Sequence, residues 1–172
     1  MIKRRHPRKM CRIPAIACVA FLVLSSVACA ASNDVASLTW NGSVVGVLDG
    51  DTLDVLHTRH AERIRLYGID CPEKRQAFGK VAKLATSALV FGRPVTVKPH
   101  ATDRYKRSVA EVFLEDGTNL NHHLVKGGWC WWYRKYAPKD TVLEGLEHAA
   151  RESRKGLWVD PHPIPPWEWR KR

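Results

Sequence analysis

Two short acidic turns and two arginines in this sequence have the side-chain types that phosphate-ester chemistry requires. The turns are Asp49-Gly50-Asp51-Thr52 and Asp70-Cys71-Pro72-Glu73; the arginines are Arg65 and Arg107. Aspartates offer hard oxygen ligands suited to Ca²⁺ or Mg²⁺. Arginines offer planar forks that match phosphate oxygens. Glu73 can orient or deprotonate a water, and Pro72 fixes the backbone before it and aims it outward. When water attacks a phosphodiester, charge grows on the non-bridging oxygens, and fixed cations near them lower the barrier. Each residue alone has a bland alternative. D-G-D is ordinary hairpin-turn chemistry, and most Asp and Arg side chains end in surface ion pairs. The set gains meaning because all its members fall at strand ends or turns.

The elements that must position them begin with strands. Leu38 to Leu48 is rich in Val, Leu and Trp and stops at the Asp49-Gly50-Asp51 turn. Thr52 to His57 alternates Leu53, Val55 and His57 against Asp54 and Leu56. Ala61 to Ile69 alternates Ile64, Leu66 and Gly68 against Arg63, Arg65 and Tyr67, so Arg65 needs an anionic partner. The period then turns helical from Gln76 to Phe91, with Phe78, Val81, Ala82, Ala85, Ala88 and Leu89 on one face. Gly92 and Pro94 close that helix. Pro94 to His100 and Ser108 to Leu114 read as two more strands, joined by the basic link Asp103 to Arg107. Leu120 to Val125 reads as a short helix ended by Gly127-Gly128. Thr141 to Lys155 reads as a third, with Val142, Leu143, Leu146, Ala149 and Ala150 on one face, a Thr141/Glu144 capping box and Gly156 as its stop. Five strands with a helix after the third predict an α+β protein, a five-stranded OB-type Greek-key β-barrel with three helices.

The chain has 172 residues, 28 Lys and Arg against 17 Asp and Glu, and 45% hydrophobic residues, which fits one globular domain and excludes a disordered chain. Part of the basic excess is removable. Residues 1–30 run from a basic stretch through an apolar one (Ile13 to Leu24) to Ala28-Cys29-Ala30, the pattern of a cleaved signal peptide. Cleavage is expected after Ala30, with Ala31 close behind; Val27-Ala28-Cys29 is a weak lipoprotein box. Without the six bases of that leader the mature chain keeps 22 bases against 17 acids, a net +5 over 142 residues. A protein secreted or held in a periplasm is expected, with no membrane association after cleavage. Residues 31–37 form a short polar lead, 38–158 the domain, and 159–172 a Pro/Trp-rich tail expected to lie extended, with Trp167 or Trp169 packed on the barrel. Three of the five cysteines fall in the leader. Cys71 and Cys130 remain, either as one disulfide or as two buried thiols. No cysteine spacing suggests structural zinc.

Four ordered motifs give the set a family. V-L-D-G-D-T-L-D-V (Val47 to Val55), I-R-L-Y-G-I-D-C-P-E (Ile64 to Glu73), T-D-R-Y-K-R (Thr102 to Arg107) and N-H-H-L-V-K-G-G (Asn121 to Gly128) resemble the staphylococcal nuclease family over Leu38 to Trp158. The resemblance implies a Ca²⁺-dependent nuclease acting on DNA and RNA with low sequence specificity. It implies Asp51, Asp70 and the backbone carbonyl of Cys71 as ligands of one calcium ion, with Mg²⁺ a possible substitute. It implies Arg65 and Arg107 as phosphate arginines, Glu73 as the water-activating carboxylate, and Tyr105 and Tyr136 as aromatic groups of the nucleotide pocket, with Asp49 supporting the metal indirectly. Cys71 stands where threonine is common, and the segment after Glu73 is short. A monomer is expected.

The strip Trp129 to Tyr136 interleaves rings with bases, the recipe for single-strand binding, although some of its rings must be core. The His122-His123 pair reads as helix surface. A noncatalytic OB module binding nucleic acid is the main rival, and a scaffold recruiting partners through its tail is another. Degenerate relatives of this barrel lose the charged set, whereas Asp51, Arg65, Asp70, Glu73 and Arg107 are all present here.

Overall fold

The computed structural model describes residues 39–172; the leader and the polar lead fall outside them. Strands β1 (Trp40–Asp49), β2 (Thr52–His57), β3 (His60–Leu66), β5 (Pro94–Thr102) and β6 (Ser108–Leu114) close a barrel in the order β1-β2-β3-β6-β5. The chain runs as an antiparallel meander through β3. β1 pairs with β5 through its first four residues and with β2 from Ser43 onward. Register shifts near Gly46 bend it between the two partners. Alternation decides what fills the interior. Leu53, Val55, Ile64, Leu66, Val97, Ala110 and Val112 are all essentially inaccessible, and helix α2 (Leu120–Lys126) adds Leu120, Leu124 and Val125 to the same core. The α+β barrel expected from the sequence is the observed fold.

The departures lie at element ends and have local causes. The predicted third strand is split: β3 stops at Leu66, Gly68 takes φ +73, and Ile69–Asp70 forms a separate two-residue strand, β4. β4 pairs not with the barrel but with β7 (Trp131–Trp132), matching Ile69 to Trp132 and Asp70 to Trp131. Helix α1 (Gly79–Val90) starts three residues later than predicted because Phe78 sits at φ +64. Its buried face runs through Ala82, Thr86 and Val90, and Val81 is left exposed.

Helix α3 (Thr141–Glu152) is capped by Asp140, whose side chain accepts from the Leu143 amide at 2.9 Å; the Thr141/Glu144 box is not formed. An aspartate one position earlier offers the better acceptor. The helix ends at Glu152, ahead of Gly156, because Arg154 already takes φ +48. Its inner face is Leu143, Glu147 and Ala150, with Val142 on the outside. Glu147 is admitted to that face because its Oε1 accepts the Trp132 amide at 3.0 Å. The tail is not wholly extended. A 3-10 turn (Gly156–Val159) and a one-turn helix α4 (Pro166–Trp169) shape it, with Pro166 at a position where its missing N–H goes unused. Among the described residues no helix is long and apolar enough to cross a membrane.

Candidate active site

The β1–β2 turn carries the first aspartate. Asp49 pairs with Thr52, leaving Gly50-Asp51 as the loop. A Cβ at Gly50 would come within 2.8 Å of the Cys71 Cβ, so only glycine lets the two turns approach this closely. Thr86 of α1 donates to the Gly50 carbonyl at 2.7 Å and buttresses the turn. Asp51 is then fixed from both sides: the Cys71 amide donates to its Oδ2 at 2.7 Å and the Thr52 hydroxyl to its Oδ1 at 3.1 Å.

Arg65 lies opposite Thr52 in the β2–β3 ladder and is largely buried. Its Nη1 donates to the carbonyls of Leu66 and Ile69 at 3.0 and 2.9 Å. Its Nη2 stands 2.8 Å from Asp70 Oδ1 and 3.3 Å from Asp51 Oδ2. One guanidinium nitrogen therefore gathers both aspartates, which are 6% and 1% exposed. The anionic partner that Arg65 needed is this pair.

Glu73 follows on a turn built by Gln76, whose side chain accepts the Glu73 amide at 3.1 Å and whose amide donates to the Glu73 carbonyl at 2.8 Å. A Cβ at Gly79 would collide with that carbonyl, so the start of α1 sets the height of the turn. Glu73 is turned onto Arg170, a residue nothing in the sequence had marked. Arg170 donates through Nη1 to Glu73 Oε1 at 2.6 Å and through Nη2 to Asp70 Oδ2 at 2.6 Å. Gln76 Nε2 donates to the Ile164 carbonyl and holds the tail in place.

Arg107 and Tyr105 belong to the β5–β6 connection. Asp103 organises that loop: its Oδ1 accepts the amides of Tyr105 and Arg107 at 2.8 and 3.0 Å, and its Oδ2 accepts Arg107 Nε at 2.8 Å. Arg107 is brought to the same cleft as the carboxylates but is hydrogen-bonded to none of them. Asp49, Asp51, Arg65, Asp70, Cys71, Glu73, Tyr105, Arg107, Tyr136 and Arg170 all line this cavity of about 840 Å³. Tyr105 and Tyr136 are 64% and 60% exposed, as open stacking faces would be. The sulfurs of Cys71 and Cys130 are bonded to each other, tying the D-C-P-E turn to the segment before β7.

Charge is finely balanced in the cleft. Burial pushes the Asp70 carboxyl up, against hydrogen bonds from Arg170 and the charge of Arg65. Burial, together with Asp51 and Glu73, pushes Asp49 up as well. Burial works against the charged form of Arg170, but its bonds to Asp70 and Glu73 outweigh it and raise its pKa. Burial would also raise Asp103, yet the amides and guanidinium of its loop hold it below the usual carboxylate range.

The donor set suits a hard cation. Two buried carboxylates meet at one nitrogen, and the Cys71 amide bonds to one of them, Asp51, which draws the backbone of the D-C-P-E turn against that carboxylate. Among the described residues no group of three or more His, Cys, Asp and Glu side chains is placed to hold a metal. An ion here would therefore rest on two carboxylates, backbone oxygen and water, a combination Ca²⁺ and Mg²⁺ accept.

Residues 63–160 match the family described as "Staphylococcal nuclease homologue". The chain belongs to the staphylococcal nuclease family. Within it, the chain is 46% identical over 132 residues to an "Uncharacterized endonuclease" of Escherichia coli O157:H7, covering 77% of this chain and 86% of that one. It is 40% identical to "Protein ParB" of Escherichia coli over 163 residues, 88% and 92% of the two chains. It is 39% identical to "Micrococcal nuclease" of Shigella flexneri over 164 residues, 88% and 94% of the two chains. The protein is a hydrolase of the staphylococcal nuclease type, and its substrates are nucleic acids. Arg170 lies beyond the residues matched to the family, so its place in the cleft is read from the structure alone.

Proposed function

We propose that the protein is an exported nuclease that uses Ca²⁺ to hydrolyse phosphodiester bonds of DNA and RNA with low sequence preference. The observation that carries this reading is the single cleft shared by Asp51, Arg65, Asp70, Glu73 and Arg107. Asp51, Asp70 and the Cys71 carbonyl would hold the ion, which when bound supplies positive charge to a phosphate oxygen. Arg107, held at its Nε by Asp103, keeps its terminal nitrogens for the phosphate. Arg65 adds a second cation below it while keeping the aspartates in register. As the oxygen of water bonds to phosphorus, its proton passes to the Glu73 carboxylate, and the leaving oxygen departs with the bonding pair and takes up a proton from solvent to become a hydroxyl. Tyr105 and Tyr136 offer faces to the neighbouring base, and stacking reads no sequence. Export is supported by residues 1–30, which lie outside the described structure, and by a disulfide that an oxidising compartment would preserve. Nothing in the cleft requires a second copy, and we assign the monomer as the active form.

The test is cleavage of single- and double-stranded DNA and RNA by the mature protein with Ca²⁺, Mg²⁺ or chelator. Cleavage of both nucleic acids with Ca²⁺ and its loss in chelator are expected; undiminished turnover in chelator would overturn the role given to the ion. Arg170 adds a sharper expectation. Its positive charge rests on Asp70, so it opposes a cation at the same carboxylate. Arg170→Ala should tighten Ca²⁺ binding by about tenfold in low salt, measured by calorimetry without nucleic acid. Equal or weaker binding in the variant would remove Arg170 from the ion's surroundings.

A further inference from the structure

The active cleft adjoins a second cavity of about 510 Å³, with which it shares Tyr133, Lys135 and Arg170. The second cavity is built where the tail folds back on β7. Trp167 stacks on Tyr133 with centroids 5.2 Å apart and planes within 2° of parallel, and it meets the edge of Trp131 at 5.6 Å. Both Tyr133 and Trp167 are half-buried, so they form a ledge rather than a sealed core. Around these rings stand five bases, Arg134, Lys135, Arg151, Arg170 and Lys171, and one acid. Arg170 is paired with Asp70 and Glu73 of the neighbouring cleft and Arg151 with the acid, which leaves the excess charge on Arg134, Lys135 and Lys171. That acid, Glu147, is 3% exposed and already engaged by the Trp132 amide and by Arg151 at 3.1 Å. Arg134 lies over the Trp132 ring at 4.7 Å, its Nη2 3.9 Å from Glu147 Oε2, and with 66% of its side chain exposed it still presents its guanidinium to solvent. Lys171 is exposed.

We propose that this tail-built groove is a second binding subsite, which takes the single-stranded continuation of the nucleic acid whose scissile phosphate lies in the active cleft. The proposal rests on the nuclease reading and extends it. Rings alternating with cations fit a strand that offers both base faces and phosphates. Base pairing would hide those faces, so the groove favours unpaired over duplex substrate. An acidic peptide would satisfy the cations but would leave the Tyr133–Trp167 ledge without a role. Continuity with the cleft settles the choice, because a strand leaving Tyr136 passes Lys135 and Tyr133 directly into the groove.

The mature protein is titrated with fluorescein-labelled dT12 in chelator, where cleavage is not expected, over a series of salt concentrations. The double variant Arg134→Ala/Lys171→Ala should bind about tenfold more weakly in low salt, and its log–log salt slope should fall by ~1.4, or ~0.7 for each phosphate no longer neutralised. Arg59→Ala, at the far end of the β2–β3 hairpin and lining neither cavity, should leave the slope unchanged. With Ca²⁺ present, the ratio of kcat/KM on dT12 to that on a dinucleotide should fall about tenfold in the double variant, since a dinucleotide fills the active cleft alone. Lys171→Ala alone, with an expected slope change of ~0.7, serves if the double variant does not fold.

An unchanged slope and ratio would overturn the subsite. So would an equal loss with duplex 12-mer, or a loss seen only with polyglutamate. If the parent cleaves neither substrate, the nuclease reading fails, while the binding arm still decides the groove.

Discussion

Arg107→Ala is expected to lower phosphodiester cleavage by about 10²- to 10³-fold with little change in thermal stability. The loss follows from removing one preorganised donor aimed at developing charge. Stability is spared because Arg107 sits in an exposed loop and, among the described residues, its side chain hydrogen-bonds to Asp103 alone. Arg65→Ala should reduce activity at least as far and also destabilise the fold, by roughly 3 kcal/mol, because two buried carboxylates lose their shared partner. The two arginines thus carry the same chemical label and differ in what they hold up. Turnover and urea unfolding of both variants separate the roles. An Arg107→Ala enzyme that keeps more than a tenth of parental kcat would show that the guanidinium does not meet the phosphate.

Reducing the Cys71–Cys130 bond is expected to cost ~4 kcal/mol, the chain-entropy value for a closed loop spanning their sequence separation of 59. For a domain of this size the midpoint of thermal unfolding should drop by on the order of 10 °C. The comparison is thermal unfolding with and without dithiothreitol, repeated on Cys130→Ser. The variant should match the reduced parent and ignore the reductant. A parent whose melting temperature does not move in dithiothreitol would show the bond to be absent or without weight. Activity should suffer too, because Cys71 gives its amide to Asp51 and stands between Asp70 and Glu73.

Much of this was legible in the sequence where a signal repeats along the chain. Runs of six residues or more located the barrel strands, and Thr52 to His57 and Ser108 to Leu114 have the bounds expected for them. The charged set was legible because its members sit beside turn residues whose chemistry is local. Two-residue strands such as β4 and β7 carry no period at all and are defined only by their partner. The α3 face was misplaced for a related reason. Glu147 reads as polar and belongs outside by pattern, yet the free amide of Trp132 draws it in. Arg170 is the clearest case. It lies 97 residues from Glu73 among the last residues of the chain, and only the folded path of the tail, tied down at Gln76 and Tyr133, brings it there.

The seam between β3 and β6 carries one more consequence. It is the barrel's parallel join, setting Ile64 beside Ser108 and Arg65 beside Val109, so Arg65 on β3 and Arg107, the residue just before β6, come to the two sides of one seam although 42 positions separate them in the chain. Strands one to three can zip together as a local hairpin series, but they bring only one of those cations. The second arrives when the last stave of the cask slides home, and a slip of one residue there would turn β6 inside out. A seam left open would keep Arg65 and Arg107 apart, so the cleft that both of them line is complete only once β6 has docked on β3.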